Sequence, residues 1–404
     1  MKVVFKITAA ALIAAGCGGG DDQGTKPDAT ISTITNAKDV PIDGLSADDV
    51  AEFHRGDDMF DLPFREPDGL GPLFIRSSCG ACHSDGSRGP GLVQKMAVVE
   101  ADGVTTAPDQ SELPFGHTLR QGLVAPAMTP ITAPQASDVK VTIRIGPPVF
   151  GRGYLEAVAD SEIQRVAAEQ AQRTDAIHGF VAMSPFASVP SGDGFSTYNT
   201  GDMVIGRFGL KARVATLDDF TADAFQGDMG LTTPMRPVEL ANPDNLTDDS
   251  KPGVDLDLDH VNRVAFYVRR IAIPKRVGLT DQGKALFDQL QCSGCHVPTM
   301  HTRADYPIPQ LADIDAPIYT DLLLHDMGDA LSDGMVDGGS TSKAWRTAPL
   351  IGLRFTTIYM HDGRASSVAD AIQAHAGEAL ASADAFRSLS QDDRDTLVAF
   401  VEAL

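Results

Sequence analysis

Positive charge is scarce in this sequence. Its 404 residues hold 33 Lys and Arg against 55 Asp and Glu, a formal charge of −22. A chain this acidic offers no cationic face to a phosphate backbone, which argues against a nucleic-acid partner. Any protein that docks on it electrostatically should itself be basic. Long apolar runs are missing too. Beyond the first 17 residues no stretch is apolar and long enough to cross a bilayer. Cysteine is limited to Cys17, Cys79, Cys82, Cys292 and Cys295. The remainder is ordinary for a soluble chain: 43% hydrophobic residues, with 38 Gly and 25 Pro for loops. The length allows about two to three domains with sizeable cores.

The N-terminus reads as an address. In "MKVVFKITAAALIAAGC", Lys2 and Lys6 form a positive region before a short apolar stretch ending in small residues. Cys17, directly after Ala-Ala-Gly, resembles the acylated first residue of a bacterial lipoprotein. Residues 1–16 are then a signal peptide and 17–45 a polar, flexible tether from a membrane surface. The body is expected in the cell envelope, lipid-anchored, facing the periplasm or the cell surface.

The other four cysteines form two pairs, "CGACH" and "CSGCH", each followed at once by a histidine, His83 and His296. Three devices use such a pair. A four-cysteine zinc site places its pairs about 15–20 residues apart, whereas these start 213 positions apart. A redox dithiol follows a strand in a βαβ setting, which neither pair has. A c-type haem site accounts for every residue. Cysteines at i and i+3 share a helical face and meet two vinyl groups, and the adjacent histidine lies under the iron. Two covalently bound haem c groups are expected, on Cys79, Cys82 and His83 and on Cys292, Cys295 and His296.

The surroundings predict two similar units. "LTDQGKALFDQLQCSGCH" reads as a helix capped by Thr280, with Gly283 and Phe287 spaced Gly-x-x-x-Phe. "SADDVAEFHRGDDMF" repeats the pattern with Ser46, Gly56 and Phe60. Their crossing partners are "SQDDRDTLVAFVEAL" and "DHVNRVAFYVRRIAIP", both with helical apolar spacing. The fold expected is mainly α, with two cytochrome c-like haem domains at 46–275 and 276–404. The first carries a large insertion with some short strands, notably "VKVTIRI", and with helices in "DSEIQRVAAEQAQR" and "TLDDFTADAF".

Several further stretches resemble the bacterial di-haem oxidoreductase family, relatives of the di-haem cytochrome c peroxidases. They are "GLGPLFIRSSCGACH", "GPPVFGRGYLEAV", "IGRFGLKARVATLDDFTADAFQGDMGLTTP", "YTDLLLHDMGDALSDG", "WRTAPLIGLR" and "MHDGRASSVADAIQAHAGEA", and they reach from about residue 46 to the C-terminus. The chain departs from the family pattern at Leu210 and Ile351, where Trp is usual, and at Ala376, where Gly is usual. Leu210 puts an electron path through its loop in doubt.

Val368, Ala371, Ile372 and His375 share one helical face. In the related peroxidases a methionine 14 positions after the histidine of the "HDG" turn is an iron ligand, and His361 plus 14 is His375. His375 is therefore expected as the sixth ligand of the C-terminal haem, closing it and making it an electron store. His361 and Arg364 are expected to shape the "HDGRA" turn and contact haem propionates. His325 and Met327, in "LLLHDMG", are weaker ligand candidates, and His54 is the nearest local one for the first haem. Glu156 is the candidate acid that moves protons between peroxide oxygens.

The resemblance implies an oxidoreductase of peroxidase type. Hydrogen peroxide would be reduced at the N-terminal haem with electrons relayed by the C-terminal one. The donor would be a small redox protein or a quinol-linked carrier. The alternatives are a haem enzyme oxidising an organic or sulfur substrate, and a non-enzymatic electron-transfer cytochrome.

Overall fold

The computed structural model describes residues 39–84, 92–187, 194–246, 251 and 253–404. Cys17, the signal peptide and residues 17–38 of the tether lie outside them. Helices outnumber strands, which are short, but most of the described residues lie in turns and irregular segments, so the mainly α expectation holds only as a predominance of helix over strand. In order it forms α1 (Ala47–Asp61), β1 (Leu73–Phe74), β2 (Leu92–Val98), β3 (Gly122–Leu123), β4 (Val139–Ile145), α2 (Arg152–Ala157), α3 (Asp160–Gln170), β5 (Met183–Pro185), β6 (Met203–Ile205), α4 (Leu217–Met229) and α5 (Leu258–Arg270). There follow α6 (Asp281–Gln289), β7 (Met300–His301), β8 (Asp315–Ala316), β9 (Leu324–Asp326), β10 (Ala344–Arg346), α7 (Val368–Gln373), α8 (Leu380–Ser388) and α9 (Gln391–Ala403). No helix among the described residues is long and apolar enough to cross a membrane.

The helices start where the caps predict. Ser46 accepts the Asp49 N–H at 3.1 Å and Thr280 that of Gly283 at 3.1 Å. Acids follow in the first turn, where the exposed N–H groups favour negative charge. The two glycines do the work expected of them. A Cβ on Gly56 would lie 2.6 Å from Tyr267 Cβ, and one on Gly283 would lie 2.5 Å from Phe400 Cβ. Only glycine lets α1 cross α5 and α6 cross α9 this closely.

"VKVTIRI" is strand β4, paired antiparallel with β2 from Leu92↔Ile145 to Val98↔Val139. Its inner end, Arg144 and Ile145, is buried, and β2 contributes Met96 and Val98 to a core with Leu113, Leu119 and Ile131. The largest core surrounds α1, α2, α4 and α5, with Phe53, Phe60, Tyr154, Phe225 and Tyr267 at its centre. A second joins α6, α8 and α9 through Phe287, Phe386, Leu397 and Phe400. The largest core does not stop at residue 275. Met300, Tyr306, Ile318, Leu323 and Ile351 all pack into it, so the stretch between α6 and α7 is shared with the N-terminal half.

Candidate functional site

Both Cys-x-x-Cys-His segments close the same turn. The N–H groups of Cys82 and His83 donate to the Cys79 carbonyl at 2.9 and 2.8 Å, and those of Cys295 and His296 to the Cys292 carbonyl at 3.4 and 2.9 Å. At the second motif this turn sets Cys292, Cys295 and His296 along one cavity. Burial pushes the free thiols of Cys79 and Cys292 up to about 12 and that of Cys82 to about 11, and raises Cys295 as well. Dithiol exchange needs the opposite shift, toward thiolate at neutral pH.

The C-terminal motif opens on a mainly apolar cavity walled by Phe287, Leu353, Ile372, Leu397 and Val401. His296 and His375 both face it, with ring centroids 6.4 Å apart. Two metal–imidazole bonds of about 2.0 Å each, with half a ring on either side, span roughly this separation. His296 Nδ1 bonds the Tyr319 carbonyl at 3.2 Å and His375 Nδ1 that of Ala371 at 2.7 Å. A carbonyl partner places the proton on Nδ1 and reserves the Nε2 lone pair for a metal. Burial lowers both pKa values, that of His296 to about 4, so both rings are neutral near pH 7. Val368, Ala371 and Ile372 line the same cavity, as their shared helical face predicts.

At the N-terminal motif, burial and the neighbouring Arg152 lower the His83 pKa to about 4. Phe60 packs 6.2 Å from its ring. Among the described residues its buried Nδ1 has no hydrogen-bond partner of good geometry, and the Pro147 carbonyl nearby pulls its pKa slightly back up. Among the described residues, no histidine ring stands opposite His83 as His375 stands opposite His296. His54 is exposed on α1 and packs edge-on against Phe53.

A haem fits these surroundings. The cavity is apolar, its two facing imidazoles are neutral, and it holds a cation that lacks an acid. Arg346 is buried in its wall, donates only to the Gly209 carbonyl at 3.1 Å and the Thr347 carbonyl at 2.9 Å, and makes no ion pair among the described residues. Burial lowers its pKa to about 10, so it stays charged at neutral pH. A buried guanidinium with carbonyl partners alone suits an anionic ligand, such as the carboxylates at a haem edge.

Two expected roles need correcting. Glu156 is not a free acid. Its Oε1 accepts from Leu217 N–H at 2.7 Å and Arg269 Nη2 at 3.0 Å, and its Oε2 from Arg269 Nε at 2.6 Å and the Tyr306 hydroxyl at 2.7 Å. Burial alone would raise its pKa, but Arg269 and these bonds hold it below its ordinary value, so it has no proton to give. Arg364 is exposed and is not among the residues that wall the cavity; it bonds Asp362 at 2.8 Å and the Ala330 carbonyl at 2.8 Å. These bonds hold the turn, and they give the guanidinium a structural role in place of the expected one. His361 does face the cavity, stacked on Trp345.

His325 faces the same cavity but is occupied at both nitrogens, by Asp321 at 2.9 Å and Glu378 at 2.7 Å, with Cys295 Sγ at 3.6 Å. Burial would lower its pKa, yet the two acids raise it to about 12. Paired with two acids it favours the imidazolium form, in which neither nitrogen offers a lone pair to an iron. Met327 lines the cavity beside it.

Sequence reasoning missed Arg346, Trp345 and Lys211. The first two stand in the quoted "WRTAPLIGLR", and Lys211 follows Leu210, but only the folded chain shows that they meet.

The family model described as "Di-haem oxidoreductase, putative peroxidase" matches residues 132–404. Among solved structures, hydrazine synthase from Kuenenia stuttgartiensis is similar at 12% identity and a TM-score of 0.40, covering 94% of this chain and 100% of that one. A diheme peroxidase from Burkholderia thailandensis is similar at 14% identity and a TM-score of 0.39, covering 94% and 92%. No curated protein matches the chain. The family match takes in both the C-terminal haem motif and its cavity, and the chain is an oxidoreductase belonging to the di-haem oxidoreductase family.

Proposed function

We propose that this protein is a c-type di-haem peroxidase of the cell envelope, reducing hydrogen peroxide at the site of His83 with electrons held at the site of His296 and His375. One observation carries the division of labour. His296 faces a second neutral imidazole, and among the described residues His83 does not. The covalent attachment through Cys79, Cys82, Cys292 and Cys295, and the reading of 46–275 and 276–404 as two cytochrome-like units, belong to this proposal. So do the lipid at Cys17, which holds the protein at a membrane surface, and a basic redox protein or quinol-linked carrier as donor.

When bound, haem supplies an iron that exchanges single electrons and, with an open face, takes a small oxidant. The chain supplies the rest. Reducing peroxide to two waters consumes two electrons and two protons, so the first site needs an acid. With Glu156 committed elsewhere, Asp228 is the group we assign. It stands at the end of α4, whose Asp228 carbonyl accepts the Ile75 N–H at 2.7 Å beside the Cys79 loop. Its side chain is half-buried and makes no hydrogen bond among the described residues. Burial raises its pKa, with Lys95, Arg213 and Arg120 pulling the other way and Asp223 adding to the rise, and its charge is felt at both Cys79 and Cys82. A raised carboxyl can hold a proton and release it on demand.

The test is an absorption and electron paramagnetic resonance spectrum of the half-reduced protein, with and without peroxide. One site should be high-spin and respond to peroxide and cyanide, and the other low-spin and inert. Two low-spin sites in every redox state would refute the peroxidase reading. Asp228→Asn should keep both spectra while losing most peroxide turnover.

A further inference from the structure

His375 stands two residues past the end of α7, a helix of only six residues. So short a helix has little stability of its own, and what fixes the ring must come from outside it. The chain after the histidine turns back through Gly377, at φ +55°, and packs against the end of β9. A Cβ there would collide with the Asp326 carbonyl and lie 2.7 Å from the Gly328 nitrogen, so only glycine allows the approach. Glu378 then reaches into the molecule with a side chain only 14% exposed. Its Oε1 accepts the Asp326 N–H at 2.9 Å, and its Oε2 accepts the His178 N–H at 2.9 Å and stands 2.7 Å from His325 Nδ1. His325 bonds Asp321 at 2.9 Å, and Asp321 accepts Gln170 Nε2 at 2.8 Å. Gln170 Nε2 also donates to the Gly294 carbonyl at 2.9 Å, inside the second Cys-x-x-Cys-His turn. The loop that carries His375 is thereby fastened to the turn that carries His296. Burial alone would raise the Glu378 pKa, but His325 and the two amides hold it below its ordinary value, so near pH 7 it meets all three partners as a carboxylate.

We propose that Glu378 is a positioning residue of the second site, holding His375 where it closes the sixth position. The inference rests on the reading above of that site as a haem with His296 and His375 as its two axial imidazoles. Glu378 follows His375 by three residues and is not among the residues that wall the cavity, so it acts through that ring and not on the iron. The bond from His375 Nδ1 to the Ala371 carbonyl fixes which way the ring turns. It does not fix how far the end of α7 stands from His296. Glu378 supplies that second constraint, through donors that all lie outside α7 and its loop, one of them 200 positions away. A carboxylate suits the place because three donors converge there, and charge-assisted bonds are roughly twice as strong as neutral ones. Arg387 adds a lesser tie from α8, donating to the Gln373 carbonyl at 2.8 Å from an exposed guanidinium. A side chain held at the sixth position competes with any small molecule for it, so loosening the loop shifts that competition toward outside ligands.

The experiment titrates cyanide into the oxidised, haem-loaded protein and follows the low-spin signal of the second site by electron paramagnetic resonance. In the parent that signal should yield to cyanide only weakly. Glu378→Ala should bind cyanide there about tenfold more tightly or better, the equivalent of about 1.4 kcal/mol, and should show some high-spin iron before any is added. Glu378→Gln, which keeps the shape and one acceptor oxygen, should lie between the two, and it decides the matter if the alanine form does not fold. Added to His375→Ala, the Glu378→Ala change should alter cyanide binding no further, because the ring it positions is gone. Gly283→Ala strains the α6–α9 crossing in the same half of the chain and should keep the parent signal, which separates positioning from general destabilisation. Parent-level cyanide binding in the Glu378 variants, a further effect in the His375→Ala background, or the same opening in Gly283→Ala each overturns the proposal. Failure of the two-imidazole reading shows itself separately, as a second site already open in the parent.

Discussion

Replacing Glu156 by glutamine separates a catalytic acid from a structural anion. Glu156 and Arg269 are both almost wholly buried, at 5% and 2% exposure. The carboxylate satisfies four donors, two from Arg269 and one each from Tyr306 and the Leu217 amide. Glutamine keeps the shape but removes the charge and turns an NH2 toward donors that need an acceptor. Breaking a buried pair from one side costs about 3–5 kcal/mol. Asp218, which also bonds Arg269, leaves that guanidinium partly compensated, so the lower end of the range applies. Tyr306→Phe removes one bond and should cost about 1–3 kcal/mol. The assay is urea unfolding of the loaded protein. The pH dependence has a definite sign. Glu156 is held below its ordinary 4.5, so its contribution is fully present above that pH and is lost as pH falls through the lower folded-state value. The gap between parent and variant should close in acid. If Glu156→Gln unfolds like the parent while peroxide turnover collapses, the structural assignment is wrong and the carboxylate is catalytic after all.

The cysteine assignments predict that Cys79→Ser with Cys82→Ser, or Cys292→Ser with Cys295→Ser, each removes the mass of one haem from the denatured protein, read by mass spectrometry. His375→Ala should turn the second site high-spin and let it bind cyanide; an unaltered low-spin signal would make His375 a core residue only. Gly56→Ala and Gly283→Ala force a methyl into each helix crossing and should destabilise by about 1–3 kcal/mol by overpacking, measured as a lower urea midpoint.

What the sequence made legible was local. Caps at Ser46 and Thr280, the strand "VKVTIRI" and the helical face ending in His375 depend on neighbours within a few residues, and periodicity reports such neighbours directly. Glu156 was misread because its partners, Arg269 and Tyr306, lie 113 and 150 positions away; a lone acid in a helix looks the same whether it faces water or a buried guanidinium. Trp345 was passed over for a similar reason. A strand of three residues carries almost no periodicity, and its stacking on His361 brings that strand against a distant turn, a meeting no spacing rule foretells.

The stretch between α6 and α7 packs into the core of the N-terminal half, and Arg144 is clamped by Asp333 and Asp337 across that junction. On the function proposed above, contacts of this kind leave the two Cys-x-x-Cys-His segments little room to swing apart among the described residues, so the distance between them would be set when the chain folds. Turnover would then be governed by how fast electrons are supplied and not by a change of shape.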